Sequence, residues 1–172
     1  RHSTRVPLIF AGPGIPSGQN CGQPAELLDL YPTLSGLAGL PNITQTEGLS
    51  LEPQISDPNT SRERPAMCTH NAGNHSICDT RWRFIRYADG KSELYDRQND
   101  PWEHNNLLNG DPFFTDKNKL SPSARFAVER LLKYLPEQEL PLAPGSRARI
   151  LEKRADGFYW QDKKIVPEDL VE

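Results

Sequence analysis

The sequence predicts an α+β fold, a small antiparallel sheet with a packed helix, preceded by a strand and a helix of α/β type. Two observations predict the sheet and its helix. Residues 81–96 hold two β-rich runs around Ala88-Asp89-Gly90, and Asp-Gly supplies the positive φ angles that a tight hairpin turn demands. Residues 123–134 place Phe126, Val128, Leu131 and Leu132 close to helical spacing, with Leu135 following and Ser121-Pro122 as the entry. A third observation predicts the leading piece. Residues 6–11 are a continuous apolar run, which suits a strand buried on both faces of a largely parallel sheet, with its neighbours outside this chain.

Taken in order, residues 12–22 read as a loop. Residues 24–38 then read as a helix with Leu27, Leu28, Tyr31, Leu34, Leu37 and Ala38 on one face, Gly39 as its stop and Pro32 as a kink. Residues 1–40 form this first piece, and residues 41–64, rich in Pro, Asn, Ser and Thr, form a linker. The compact unit spans 65–135. It opens with a strand near 66–70, followed by the hairpin, in which Trp82, Phe84, Ile85 and Tyr87 alternate imperfectly with Arg81, Arg83 and Arg86 and return through Ser92-Glu93-Leu94-Tyr95-Asp96. Asp100 is placed to cap a helix that starts at Pro101, with Glu103 in its first turn. Strands with a helix on one face give an α+β layer. Residues 136–172 form an extended tail with Phe158-Tyr159-Trp160, suited to wrapping a neighbouring domain.

Composition bounds the function. With 172 residues, 35% hydrophobic, and a mean hydropathy of −0.68, the chain has material for one core and much polar loop. A net charge of −3 with interspersed signs leaves no basic footprint for nucleic acid. No apolar stretch approaches the roughly 20 residues of a membrane helix, and no signal peptide opens the chain.

The string Glu-Leu-Tyr-Asp, Asp-Pro-x-Glu and Asn-Leu between Glu93 and Leu107 resembles the C-terminal region of the type I sulfatases, of the alkaline-phosphatase-like superfamily. Two upstream blocks agree. Thr4-Arg5-Val6-Pro7-Leu8-Ile9-Phe10-Ala11-Gly12-Pro13-Gly14, and Leu28-Asp29-Leu30-Tyr31-Pro32-Thr33-Leu34 with Gly48-Leu49-Ser50-Leu51, are similar to the segment joining the family's catalytic domain to its small C-terminal domain. The details lean toward the iduronate-2-sulfatase-like bacterial branch. The resemblance implies that residues 1–40 end the catalytic α/β domain and that 65–135 are the C-terminal domain. It also implies a parent enzyme that hydrolyses a sulfate ester of a sulfated carbohydrate with a formylglycine nucleophile and calcium.

The family's formylglycine arises from Cys or Ser in a C/S-x-P-x-R motif. Cys21, Cys68 and Cys78 all lack the proline and arginine, so no catalytic residue and no metal ligand is expected here. This chain is expected to be the C-terminal third of a sulfatase, silent alone, whose partner is the missing N-terminal catalytic domain. The parent would be periplasmic or secreted if it carries a signal peptide. Two alternatives stand: a noncatalytic binding or scaffold module derived from a sulfatase, and a phosphonate or phosphodiester hydrolase of the same superfamily.

The constellation with chemical potential is Cys68-Thr69-His70-Asn71-Ala72-Gly73-Asn74-His75-Ser76-Ile77-Cys78. Its Gly-Asn-His piece resembles the branch's loop that faces the catalytic cleft, which makes His75, Asn74 and His70 the substrate-proximal candidates, with imidazole and amide donors for sulfate or sugar oxygens. Cys-x-His-x4-His-x2-Cys also offers four zinc ligand types in a spacing that matches no standard finger. A satisfied structural loop is the third reading. Cys68 and Cys78 flank the loop and would pair if their Cα atoms came near 5.5 Å, although three cysteines favour free thiols. Asn42, Asn59 and Asn74 begin glycosylation acceptor triplets. Arg5 is expected in a structural ion pair, and Trp82, Tyr87, Tyr95 and Trp102 as hairpin core. Asp96, Asp100 and Glu103, though they look like paired carboxylates, are explained by turn and cap positions.

Overall fold

The computed structural model describes residues 6–41, 45–139, 151–160 and 162–167. Two compact units divide the chain, Arg1–Glu139 and Leu140–Glu172. Arg5 and Asn42 lie outside the described residues.

The first unit is built on a four-stranded antiparallel meander: β1 Ala66–Thr69, β2 His75–Cys78, β3 Trp82–Arg86 and β4 Ser92–Asp96, in that spatial order. Its register sets Met67 against Ile77, Ile77 against Phe84 and Phe84 against Leu94. Because side chains alternate faces along a strand, His75, Ile77, Trp82, Phe84, Ser92 and Leu94 share the inner face, and all six are buried. The α-helix Pro122–Leu131, labelled α3, covers that face. Ser121 caps it by accepting from the Ala124 amide, and Pro122 occupies the first turn, where a missing N–H costs nothing. Ala124, Ala127, Val128 and Leu131, spaced i, i+3, i+4, i+7, meet Ile77, Phe84, Leu94 and Leu108 in one core. Burying side chains of this size contributes about 1.5–3 kcal/mol each. Phe126 falls on the opposite side of the helix and is exposed, so the spacing that nominated it for the core was one residue out of phase.

The hairpin forms, with one correction to its turn. Tyr87 and Lys91 close a three-residue loop, and only Gly90 takes a positive φ, 85°, while Asp89 turns its carboxylate to the Lys91 amide. This is the longer hairpin connection with a left-handed third residue rather than a two-residue turn. The preceding connection, from β1 to β2, is a second hairpin that the sequence did not announce. Gly73 is required there twice over: its φ is 76°, and a Cβ would sit 2.9 Å from Ala88 Cβ.

Three expected elements differ. Residues 6–11 form no strand, and Val6, Leu8 and Ile9 are exposed, since a strand needs neighbours and none of the described strands pairs with them. The helix expected over 24–38 is a 3₁₀ turn, Leu27–Asp29, leading into α1, Leu30–Leu37. Pro32 is its third residue, within the first turn whose amides have no intrahelical partner, so it does not kink the helix. The apolar stripe of Leu27, Leu28, Tyr31, Leu34 and Leu37 is exposed, not buried. Finally, no helix begins at Pro101. Glu103 adopts a φ of 60°, and Asp100 accepts from the Asn105 amide at 2.7 Å, closing a turn in place of a helix.

Within 41–64 a short helix α2, Glu52–Ser56, is described. A buried ionic knot ties this stretch to its neighbours. Asp29, fully buried, accepts from the Leu49 amide at 2.8 Å and from Arg62, whose guanidinium also reaches Glu26 at 2.6 Å. Glu26 in turn accepts from the Met67 amide of β1 at 2.8 Å.

The second unit is a three-stranded antiparallel ribbon, β5 Leu151–Arg154, β6 Gly157–Trp160 and β7 Lys163–Lys164. One face carries Arg154 over the Tyr159 ring at 4.1 Å, with Arg154 paired to Glu152 and Asp162.

Candidate functional site

The β1–β2 hairpin holds the candidate residues. The His70 amide donates to the Asn74 carbonyl at 2.9 Å, and Asn71 and Gly73 both take left-handed conformations between them. Asn74 spends its side chain on the turn, donating to the Ala72 carbonyl at 3.0 Å and accepting from the Ala88 amide at 3.3 Å. His70 directly follows β1 and is exposed.

His75 is different. It opens β2, faces inward, and is 5% exposed. Its Nδ1 lies 2.9 Å from Thr69 Oγ1, its register partner on β1, and its Nε2 lies 2.5 Å from Glu139 Oε1. The His75 bond is the leading cause of a Glu139 carboxyl pKa below the usual range, and the Gly73 amide adds to it. The structure thus separates the three candidates: an exposed imidazole, an amide engaged in the turn, and a buried imidazole with both nitrogens occupied. Thr69 and Glu139 are participants that sequence reasoning missed. Glu139 lies 64 positions from His75, and nothing in the sequence links them.

The same register dismisses the zinc reading of this stretch. Cys68 and Cys78 project from the outer face of the sheet and His75 from the inner, so the four side chains do not converge. Cys68 pairs with Ser76 and Cys78 with Ala66, which makes the cysteines diagonal neighbours, roughly 7–8 Å apart by ordinary sheet geometry and beyond disulfide reach. All three cysteines are free. Burial pushes the Cys78 thiol pKa up despite the Arg97 guanidinium at 2.8 Å from its sulfur. Among the described residues no group of three or more His, Cys, Asp or Glu side chains is placed to hold a metal ion.

The acidic string from Glu93 to Leu107 is occupied structurally. Asp96 accepts from Arg81 at 2.8 Å and from Asn99 at 2.8 Å, and the Arg81 bond holds its carboxyl pKa below the usual range. Glu103 reaches back to Arg83 at 3.0 Å, on the outer face of β3. Asn106 Oδ1 accepts from the amides of Leu94 and Leu108, at 3.1 and 2.9 Å, and the Leu107 amide donates to the Leu94 carbonyl. The string folds back along β4 and satisfies that edge. Burial, together with a hydrogen bond to Glu93, raises the Tyr95 hydroxyl pKa.

No family model matches the chain. It is 36% identical over 111 residues to a sulfatase of Formosa agariphila, a match covering 64% of this chain and 22% of that protein. It is 31% identical over 120 residues to arylsulfatase K of Homo sapiens, covering 61% of this chain and 22% of that one. Its relatives are sulfatases. Solved structures agree: a Bacteroides thetaiotaomicron protein assigned as a sulfatase superposes with a TM-score of 0.50 at 28% identity, over 73% of this chain and 28% of that one. A 2-O GAG sulfatase does so with a TM-score of 0.52 at 27% identity, again over 73% and 28%. The α+β architecture, antiparallel sheet and packed helix, is the one these sulfatases share with this chain. The match spans about a fifth of the length of the curated relatives.

Proposed function

We propose that this chain is the C-terminal portion of a sulfatase whose intact form hydrolyses a sulfate ester of a carbohydrate, in the iduronate-2-sulfatase-like branch. The supporting observation is the uncovered apolar surface of the leading piece. Ile9 and Leu27 are each 83% exposed, and Leu28, Tyr31, Leu34 and Leu40 are each about half exposed or more. Large apolar side chains left uncovered in this way suit an interface, and in this reading their occupant is the sulfatase catalytic domain. Residues 6–11 then find the sheet neighbours they lack. The relatives extend well beyond the matched region, which leaves room for that domain.

In this reading the nucleophile and metal lie outside the chain. The cysteines do not suit formylglycine: none has the required proline and arginine, and Cys78 is half-buried against Arg97. Formylglycine would supply a geminal diol as nucleophile, and calcium would neutralise charge on the sulfate. No step of that chemistry runs through residues described here. What this chain contributes is the wall of the cleft. His70, exposed directly after β1, is the donor best placed to meet a sulfate or sugar oxygen, with Asn74 shaping the turn beneath it.

The test uses the full reading frame that contains this chain. An in-frame C/S-x-P-x-R motif upstream of Arg1 is expected, together with calcium-dependent turnover of a sulfated sugar. His70→Ala in that protein should lower kcat/KM by about tenfold or more, the loss expected for one transition-state hydrogen bond worth roughly 1.4 kcal/mol. Aryl sulfate hydrolysis by residues 1–172 alone would overturn the assignment. A frame without the motif would favour the scaffold alternative.

A further inference from the structure

The inner end of the β1–β2 hairpin gathers donors around one acceptor. His75 Nε2 meets Glu139 Oε1 at 2.5 Å, and the Gly73 amide faces the same carboxylate. A carboxylate only accepts, so Nε2 carries the hydrogen. The ring's Nδ1 lies 2.9 Å from the Thr69 hydroxyl, which can both donate and accept. The Thr69 contact holds the ring so that its Nε2–H points to the Glu139 carboxylate. Directly across β3, on the same inner face, stands Arg86, whose Nη1 donates to the Gly90 carbonyl and whose buried Nε has no hydrogen-bond partner among the described residues.

The donors and the acceptor are supplied by different kinds of structure. Thr69, His75 and Arg86 are strand residues in register, and Gly73 sits in the turn they enclose. Glu139 belongs to no helix or strand. It lies beyond the last helical turn, Leu132–Tyr134, with its side chain 40% exposed, and ends the first compact unit. A rigid set of donors thus faces a carboxylate presented by an irregular segment.

We propose that His75 and the Gly73 amide form an oxyanion-binding site and that Glu139 fills it from within the chain, as a stand-in for an acidic group of the substrate. The carboxylate oxygens of Glu139 take the place of a sulfate-ester or sugar-carboxylate oxygen. A substrate anion enters by displacing them, so affinity at this subsite is set by competition with the chain's own Glu139. This deepens the proposed function and rests on its reading that the hairpin faces substrate. It explains how a buried histidine belongs to a substrate-proximal turn: His70 is open at all times, whereas His75 is opened by exchange of one anion for another.

The prediction is tested on the 172-residue chain by following the Gly73 amide and the His75 ring nitrogens by NMR during titration with sodium sulfate, against sodium chloride at matched ionic strength. Glu139→Ala should bind sulfate about tenfold or more tighter than the unaltered chain, with shifts at both signals. Glu139→Gln, which keeps an accepting oxygen without charge, should fall between. A parallel titration with sodium acetate separates the two sources: stronger binding of sulfate assigns the site to the ester, stronger binding of acetate to a sugar carboxylate. Equal sulfate affinity in the unaltered chain and in Glu139→Ala, or no shift at His75 beyond the chloride control, would overturn the proposal. His75→Asn in the Glu139→Ala background should abolish the response, and the Glu139→Ala comparison stands even if that double variant fails to fold. Because the readout is equilibrium binding, its failure leaves hydrolysis by the longer protein untouched, and the absence of hydrolysis leaves this result standing.

Discussion

Replacing Arg62 by Ala should unfasten the leading piece from the sheet. The Arg62 side chain is 3% exposed and sits between Glu26, 7% exposed, and Asp29, fully buried, with one terminal nitrogen 2.6 Å from each. Removing it leaves two carboxylates in the interior with amide partners and Arg64, whose contact with Glu26 is longer at 3.5 Å and whose side chain is 34% exposed. Breaking a buried pair from one side costs about 3–5 kcal/mol, because the stranded charge stays desolvated. The Leu49 and Glu26 amides still satisfy Asp29 and Arg64 still reaches Glu26, so the low end, about 3 kcal/mol, applies. For a unit of this size a loss of that order lowers Tm by roughly 10 °C. Urea unfolding measures the loss, and amide exchange locates it. Leu49 donates to Asp29 and Met67 to Glu26, so both amides should lose protection before the β3–β4 ladder does. The double variant Asp29→Asn, Arg62→Met should recover much of the loss, since the uncompensated charge is removed with its partner. An unchanged midpoint together with unchanged protection at Leu49 and Met67 would refute the claim that this knot holds the two parts together.

Two further outcomes follow from the outer face and the turn beyond β4. The Asp96 carboxyl is held below its ordinary pKa first by the Arg81 hydrogen bond, so its stabilisation is present above the unfolded value near 4 and is lost as pH falls through the lower folded value. The urea midpoint should drop on acidification below about pH 4, and Asp96→Asn should flatten that part of the profile; an identical slope in the variant would assign the acid lability elsewhere. Under denaturing, nonreducing conditions three thiols should titrate, whereas in the folded protein Cys21 and Cys68 should react quickly and Cys78 slowly, because its thiol is half-buried with a raised pKa; a Cys78 that reacts as fast as Cys68 would contradict its placement.

What the sequence disclosed was local. Ser92–Asp96 and the helix behind Ser121-Pro122 declare themselves through alternation, capping and i, i+3, i+4, i+7 spacing, and both form within a residue or two of where those signals lie. β2 escaped because four residues, His75–Cys78, alternate a histidine and an isoleucine inward with a serine and a cysteine outward, a pattern too short and too polar to register. The expected helix at Pro101 failed to a competing use of the same residues: Asp100 caps no helix but accepts from the Asn105 amide to close a turn, and Glu103, in a left-handed conformation, pairs with Arg83. The stripe on α1 was correctly amphipathic and still exposed, because periodicity reports that a face wants burial without saying which chain buries it.

The same distinction separates the family string from the site. The side chains of Asp96 and Asp100 hold turns, Glu103 pairs from the following loop with Arg83 of β3, and Asn106 satisfies the edge of β4, so substituting any of them disturbs the sheet first. The residues that make this stretch recognisable are therefore constrained by folding, and under the proposed function they carry no information about which ester would be the substrate. That information has to reside where the fold leaves a side chain free. Across the β1–β2 hairpin the backbone is fixed by Gly73 and Asn74, His70 is exposed, and His75 holds Thr69 at one nitrogen and Glu139 at the other, the partner that the proposed anion site has a substrate displace. A hairpin whose scaffold is fixed and whose two imidazoles differ in accessibility separates, within six residues, what the fold demands from what, under the proposed function, a substrate would select.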